Sequence, residues 1–154
     1  MTTPDQRLSD LGLTLPAAPA PAANYVPFVR SGSMLYVSGQ ISQTPEGLIK
    51  GRLGADLDIE QGAAAARACA LSLMAQARAA CGGDLGRIAR VVKLVGFVNS
   101  TPDFTDQPKV INGASDLMVA VFGEAGRHAR SAISAAALPL GVAVEIEAIF
   151  ELHP

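Results

Sequence analysis

The 154-residue chain contains no tryptophan, and aromatic residues make up only 5% of it. Its core must therefore be assembled from alanine, valine, leucine and isoleucine. Charge is also scarce: 17% of residues are charged against 49% apolar. That is more apolar side chain than a small, fully solvated monomer carries, so part of it is expected between subunits. No run of lysine or arginine occurs, and the net charge is −2. Electrostatic binding of nucleic acid needs clustered cations to replace counterions, so no nucleic-acid partner is expected. No apolar run approaches the ~18 residues of a membrane span, and no stretch reads as a signal peptide, so no membrane partner is expected. Only Cys69 and Cys81 carry thiols, and only His128 and His153 carry imidazoles. Their spacing matches no metal site, and no cofactor is expected. Cys69 falls mid-helix and Cys81 at the helix end, too far apart for a disulfide. Two isolated, inert thiols suit a reducing, cytoplasmic setting.

What is present divides into short segments. Residues 5–13 suit a short helix ending at Gly12, followed by the proline- and alanine-rich stretch LPAAPAPAA, read as an extended surface spacer. Residues 1–23 thus form an arm ahead of a domain spanning 24–154. Tyr25 to Arg30 and Met34 to Gln40 are β-like runs around Ser31-Gly32-Ser33, a hairpin signal. A loop over 43–58 precedes an alanine-rich helix from Ile59 to Ala80, stopped by Cys81-Gly82-Gly83. Arg90 to Val98 is the clearest strand. A second long helix is predicted from about Pro108 to Phe122. The order predicts an α+β domain: one mainly antiparallel sheet with two helices on one face, its other face covered by a subunit partner.

The last two strands, within residues 128–150, pose a chemical question. Side chains alternate along a strand. Val142, Val144, Ile146, Ala148, Phe150 and Leu152 fall on one face and should meet the helices. Glu145, Glu147 and Glu151 fall on the other. On the preceding strand Arg130, Ala132, Ser134 and Ala136 share a face. A turn at Leu138-Pro139-Leu140-Gly141 makes the two strands neighbours if they form a hairpin. Arg130 and Glu145 then line one cavity among small residues. Such a pair is either an intersubunit ion pair or a site. A guanidinium is a planar carboxylate receptor, and a partly desolvated glutamate can move a proton or orient water.

Tyr25, then Ser38-Gly39-Gln40, then Arg130-Ser131, Leu138-Pro139 and Glu145-Ile146-Glu147-Ala148 resemble the RidA (YjgF) family, in order from about residue 24 to 152. The resemblance implies a chorismate-mutase-like fold assembled as a homotrimer, with an inner β-barrel and sites in clefts between subunits. It implies an enamine/imine deaminase that hydrolyses 2-imino acids of the 2-aminoacrylate type to 2-keto acids and ammonia. Carried across, Arg130 would grip the substrate carboxylate and Glu145 would activate water or shuttle protons. Tyr25, Ser38 and Asn112 would line the substrate site. Glu147 reads as an interface ion-pair partner, Gly39 as a point of close backbone approach, and His128 as a rim residue. Where many members carry a cysteine, this chain has Ala132, which removes a thiol and enlarges the cleft. Two other readings compete. A small-carboxylate binder or metabolite sensor would need Arg130 but not Glu145. An endoribonuclease finds neither a basic track nor a histidine pair here.

Overall fold

The computed structural model describes residues 1–18 and 23–154. Helix α1 spans Pro4–Asp10. Strands β1 (Phe28–Ser31), β2 (Met34–Ile41), β3 (Gln43–Thr44) and β4 (Gly47–Leu48) lead into helix α2 (Ile59–Ala80). Strand β5 (Ile88–Asn99), helix α3 (Gln107–Phe122), β6 (Ala129–Ala135) and β7 (Val144–Leu152) complete the fold.

Local chemistry sets most of these boundaries. Asp58 accepts the Gln61 backbone N–H at 2.8 Å, and the Gln61 side chain returns the bond to Asp58 N at 2.9 Å. This reciprocal cap fixes the start of α2. At its other end Gly82 and Gly83 both take positive φ, where a side chain would be strained. Gly32 does the same in the β1–β2 hairpin, where Ser31 pairs with Met34. Two details fall outside the expectation. The 43–58 loop holds the small β3–β4 hairpin. Tyr25 lies ahead of β1 rather than within it.

The main sheet runs β1-β2-β7-β5-β6. Its pairs are antiparallel except β5 with β6, which is parallel. This overturns the hairpin expected of β6 and β7. Helix α3 carries the chain from the end of β5 back to its start, so β6 re-enters alongside β5 in the same direction. The turn at 138–141 then passes the chain across to the far side of β5, where β7 fills the centre of the sheet.

Helices α2 and α3 cover one face. The predicted alternation on β7 holds: Val144, Ile146, Ala148, Phe150 and Leu152 are all buried. They pack with Leu35, Leu94, Leu73, Met74, Ile111 and Met118 in one core. Small residues bring the helices close: a Cβ at Gly113 would collide with the Ala63 carbonyl of α2. The third helix, α1, also joins the core. Leu8 is buried, Arg7 Nη1 donates to the Val121 carbonyl at 3.3 Å, and Asp5 accepts the Leu85 N–H at 3.1 Å. Of the proline-rich stretch, Leu15 is buried while residues 19–22 lie outside the described residues.

The opposite face carries no helix. Val29, Tyr36, Ile149 and Lys93 form one cross-strand row on it, and Ile41, Glu145, Phe97 and Ile133 form another. Val29, Tyr36 and Ile133 are each about half exposed, at 52%, 46% and 48%.

Candidate functional site

Register places Arg130. On β5, Leu94 pairs with both Arg130 of β6 and Ala148 of β7. Cross-strand partners share a face, and Leu94 and Ala148 are buried under the helices. Arg130 therefore lies on the helix side, against α3. Its Nη1 donates to Asn112 Oδ1 at 2.8 Å and to Ser115 Oγ at 3.2 Å. Ser115 Oγ lies 2.9 Å from His128 Nε2, and His128 Nδ1 lies 2.6 Å from the Gly126 carbonyl. The carbonyl can only accept, so Nδ1 carries the proton. In the neutral ring Nε2 then accepts from the Ser115 hydroxyl, leaving the Ser115 oxygen free to accept from Arg130. A directed relay runs from Arg130 through Ser115 and His128 to the backbone.

No carboxylate pairs with Arg130. Among the described residues the ion pairs are Lys109–Asp106 and Arg127–Glu124, both exposed. Nη1 is engaged by α3, which leaves Nε and Nη2. Those two N–H groups lie parallel on one edge of the guanidinium, the edge that binds a carboxylate with two bonds.

Glu145 sits elsewhere. It pairs with Ile41 on β2 and Phe97 on β5, on the face without helices. The cavity expected to hold both Arg130 and Glu145 does not form within one chain: with β5 between their strands, and with opposite alternation, the two face opposite sides. Burial, and then the neighbouring Glu147 carboxylate, push the Glu145 carboxyl above its ordinary value. Glu147 itself is exposed and has no ion-pair partner among the described residues.

A bulge in β2 makes room for Glu145. Pairing with β7 slips between Val37 and Gln40. A Cβ at Gly39 would stand 2.7 Å from Glu145 Oε2. Gly39 thus admits a side chain across the strand, rather than the backbone approach expected. Ser38 anchors the bulge, its N–H bonding to the Pro27 carbonyl at 2.8 Å and its hydroxyl to the Val26 carbonyl at 2.9 Å. The hydroxyl is thereby committed to holding the segment that follows Tyr25. Beyond Ser38, β2 has no β1 partner. A cavity of about 710 Å³ opens along that free edge, with Tyr25, Gly39, Gln40, Ser72, Gln76 and Glu145 in its lining.

The five predicted residues thus fall into two separate clusters. Arg130 and Asn112 belong to one; Tyr25 and Glu145, with Ser38 behind them, belong to the other. In the sequence neither Ser115 nor Gln76 stands out, and His128 reads as a rim residue. Two of the three left a signal: Ser115 follows Asn112 by three residues on a helix, and His128 precedes Arg130 by two just ahead of β6, spacings that suit one face in helical and in extended chain. Among the described residues no cluster of three or more His, Cys, Asp or Glu residues is placed to hold a metal, and no helix is long and apolar enough to cross a membrane.

The α+β domain thus carries a pre-oriented arginine with an unpaired edge and, on the other face of the sheet, a partly buried glutamate. Comparison with known proteins identifies the family. The model of a family described as "YjgF/chorismate_mutase-like, putative endoribonuclease" matches residues 5–152. The chain belongs to this YjgF/RidA family and has its fold. It is 56% identical over 148 residues to protein TCP17 of Trypanosoma cruzi, covering 95% of this chain and 92% of that one. The crystal structure of Atu1372 from Agrobacterium tumefaciens, a protein of unknown function, is 49% identical and superposes with a TM-score of 0.91, covering 97% of this chain and 92% of that one. The structure of Escherichia coli TdcF with bound serine is 26% identical, with a TM-score of 0.60, covering 89% and 94%.

Proposed function

We propose that the protein is an imine deaminase whose sites form between the subunits of a homotrimer. The observation that carries this reading is Arg130, a guanidinium held by α3 with its carboxylate-binding edge unpaired. Three further features support it. The helix-free face of the sheet exposes Val29, Tyr36 and Ile133, the Arg130 and Glu145 clusters lie apart within one chain, and a structural neighbour holds serine. In the assembly Arg130 of one subunit faces Glu145 of its neighbour.

The chemistry follows from the groups present. A 2-imino acid binds with its carboxylate on the Nε/Nη2 edge of Arg130. Neutralising that carboxylate makes the adjacent imine carbon more electrophilic, and the protonated imine more so. Ionised Glu145 takes a proton from water as its oxygen bonds to the imine carbon. The resulting carbinolamine is protonated on nitrogen. It then expels ammonia as its hydroxyl loses a proton, giving R–CO–COO⁻ and NH₃ from R–C(=NH)–COO⁻ and H₂O. The raised proton affinity of Glu145 suits a group that must both accept and return a proton.

The two alternatives meet specific difficulties. A pure carboxylate sensor has no use for a desolvated glutamate beside a glycine that makes room for it. An endoribonuclease using paired histidines would have to draw on His128, already bonded to Ser115 and Gly126, and on His153 at the chain end.

The test is to generate 2-aminoacrylate in situ with a pyridoxal-phosphate lyase and follow pyruvate release. Wild type is expected to accelerate release over spontaneous hydrolysis. Arg130→Ala should cost about 10²–10³-fold in kcat/KM, the price of truncating a charged hydrogen-bonding partner. Glu145→Gln should retain binding but lose turnover. No acceleration by wild type would refute the deaminase reading, and binding without turnover would favour the sensor. A monomeric mass at micromolar concentration would refute the intersubunit site.

A further inference from the structure

Gln76 has no structural employment. It lies on α2, fully buried, and neither its Oε1 nor its Nε2 has a hydrogen-bond partner among the described residues. A buried amide left unsatisfied destabilises the fold. Its helical neighbours Leu73, Met74 and Ala77 are buried and apolar, and a leucine or methionine would suit the position. The partner of Gln76 is therefore a water, a neighbouring subunit or a ligand.

Its location says what that partner is. Gln76 lines the cavity that also contains Glu145. Ser72, one helical turn earlier and therefore on the same side of α2, lines it too. The remaining walls mix apolar residues such as Tyr25, Pro27 and Leu140 with the neutral polar side chains of Gln40, Gln43 and Thr44. No lysine or arginine takes part in the lining, and Glu145 is its one ionisable carboxylate. An anionic group would therefore meet no cation there and would be repelled by Glu145. A group that both donates and accepts hydrogen bonds without charge would satisfy both ends of the Gln76 amide.

We infer that Gln76 and Ser72 form a recognition subsite for the substrate's side chain, selecting 2-imino acids whose neutral tail ends in a carboxamide. The inference rests on the deaminase reading for the reaction, not for the binding. Tail selection is distinct from the carboxylate grip of Arg130 and the proton transfer of Glu145.

The decisive comparison uses near-isosteric tails. An L-amino acid oxidase generates the 2-imino acids of asparagine and of leucine in situ, and keto-acid release is measured for each. Wild type should favour the asparagine-derived imine by about tenfold or more in kcat/KM, because an apolar tail leaves the Gln76 amide unpaired. Gln76→Leu should abolish that preference, and it should leave Tm unchanged or raise it, since an unmet amide is removed. Gln76→Met serves the same purpose should the leucine variant fail to fold. A wild type without preference, or a preference that survives both variants, overturns the subsite. So does a Tm several degrees lower in both, which would show that the amide is satisfied within the folded assembly. If wild type hydrolyses neither imine nor 2-aminoacrylate, the deaminase reading fails separately. The subsite is then read by calorimetry, from the affinities of the two corresponding 2-keto acids. A carboxamide preference lost in Gln76→Leu sustains it, and equal affinities refute it.

Discussion

Replacing Ser115 with alanine isolates the relay behind Arg130. The hydroxyl accepts from Arg130 Nη1 at 3.2 Å and lies 2.9 Å from His128 Nε2. A charge-assisted bond is worth about 1.5–3 kcal/mol. Here the distance is long and the group only half-buried, so water replaces part of the loss, and about 0.5–1.5 kcal/mol remains. Asn112, at 2.8 Å, still holds one N–H of the guanidinium. The expected result is a rise of about twofold to twelvefold in KM for a 2-imino acid, and in Kd for its 2-keto product, with kcat changed little. The bond acts on carboxylate binding, which is common to ground and transition states. Ser115→Thr keeps the hydroxyl and should restore most of the affinity. In an Arg130→Ala background Ser115→Ala should have no further effect, because its influence passes through the guanidinium. Two results would refute this reasoning: a fall in kcat at constant KM, or a full-sized effect persisting without Arg130.

Three other expectations follow from the geometry. Glu145 has a raised folded-state pKa, so the proton-bound form contributes stability that is fully present below the unfolded value and lost as pH rises through the folded one. In an Arg130→Ala background, where no facing guanidinium opposes that shift, Glu145→Gln should raise the melting temperature at neutral pH, with the gap closing below about pH 4. Gly39→Ala places a Cβ against the movable end of Glu145; kcat should fall about tenfold while stability shifts by less than about 1 kcal/mol, read from kinetics and melting on one preparation. Gly113→Ala instead meets the Ala63 backbone carbonyl, which cannot yield without parting α2 from α3. A loss of about 1–3 kcal/mol is expected, lowering Tm by roughly 3–10 °C in a circular-dichroism melt.

The elements of this fold are legible because their signals are short-range. The glycines after Ala80 and the alternation on β7 each act over a few residues, and each appears where the pattern puts it. The N-terminal segment was harder to read. Its composition suggests a spacer beyond the first helix, but Leu8 and Leu15 are buried and Asp5 reaches Leu85, contacts that no local pattern announces. The relay through Ser115 and His128 was partly visible, since helical and extended spacings align each with its neighbour. Gln76 was invisible, because an unpaired buried amide is a property of its surroundings.

The sequence alone determined which side chains share a face on each strand, and it singled out Arg130 and Glu145 as the pair to which carboxylate binding and proton transfer are assigned in the proposal. Alternation and side-chain chemistry are local properties, and they need no knowledge of neighbours. Only the tertiary structure decided how those faces lie relative to one another. The α3 crossover makes β6 parallel to β5, and β7, apolar on its helix side, takes the centre of the sheet between β2 and β5. That order, set by packing rather than by proximity in the chain, separates the arginine and the glutamate that a hairpin would have joined.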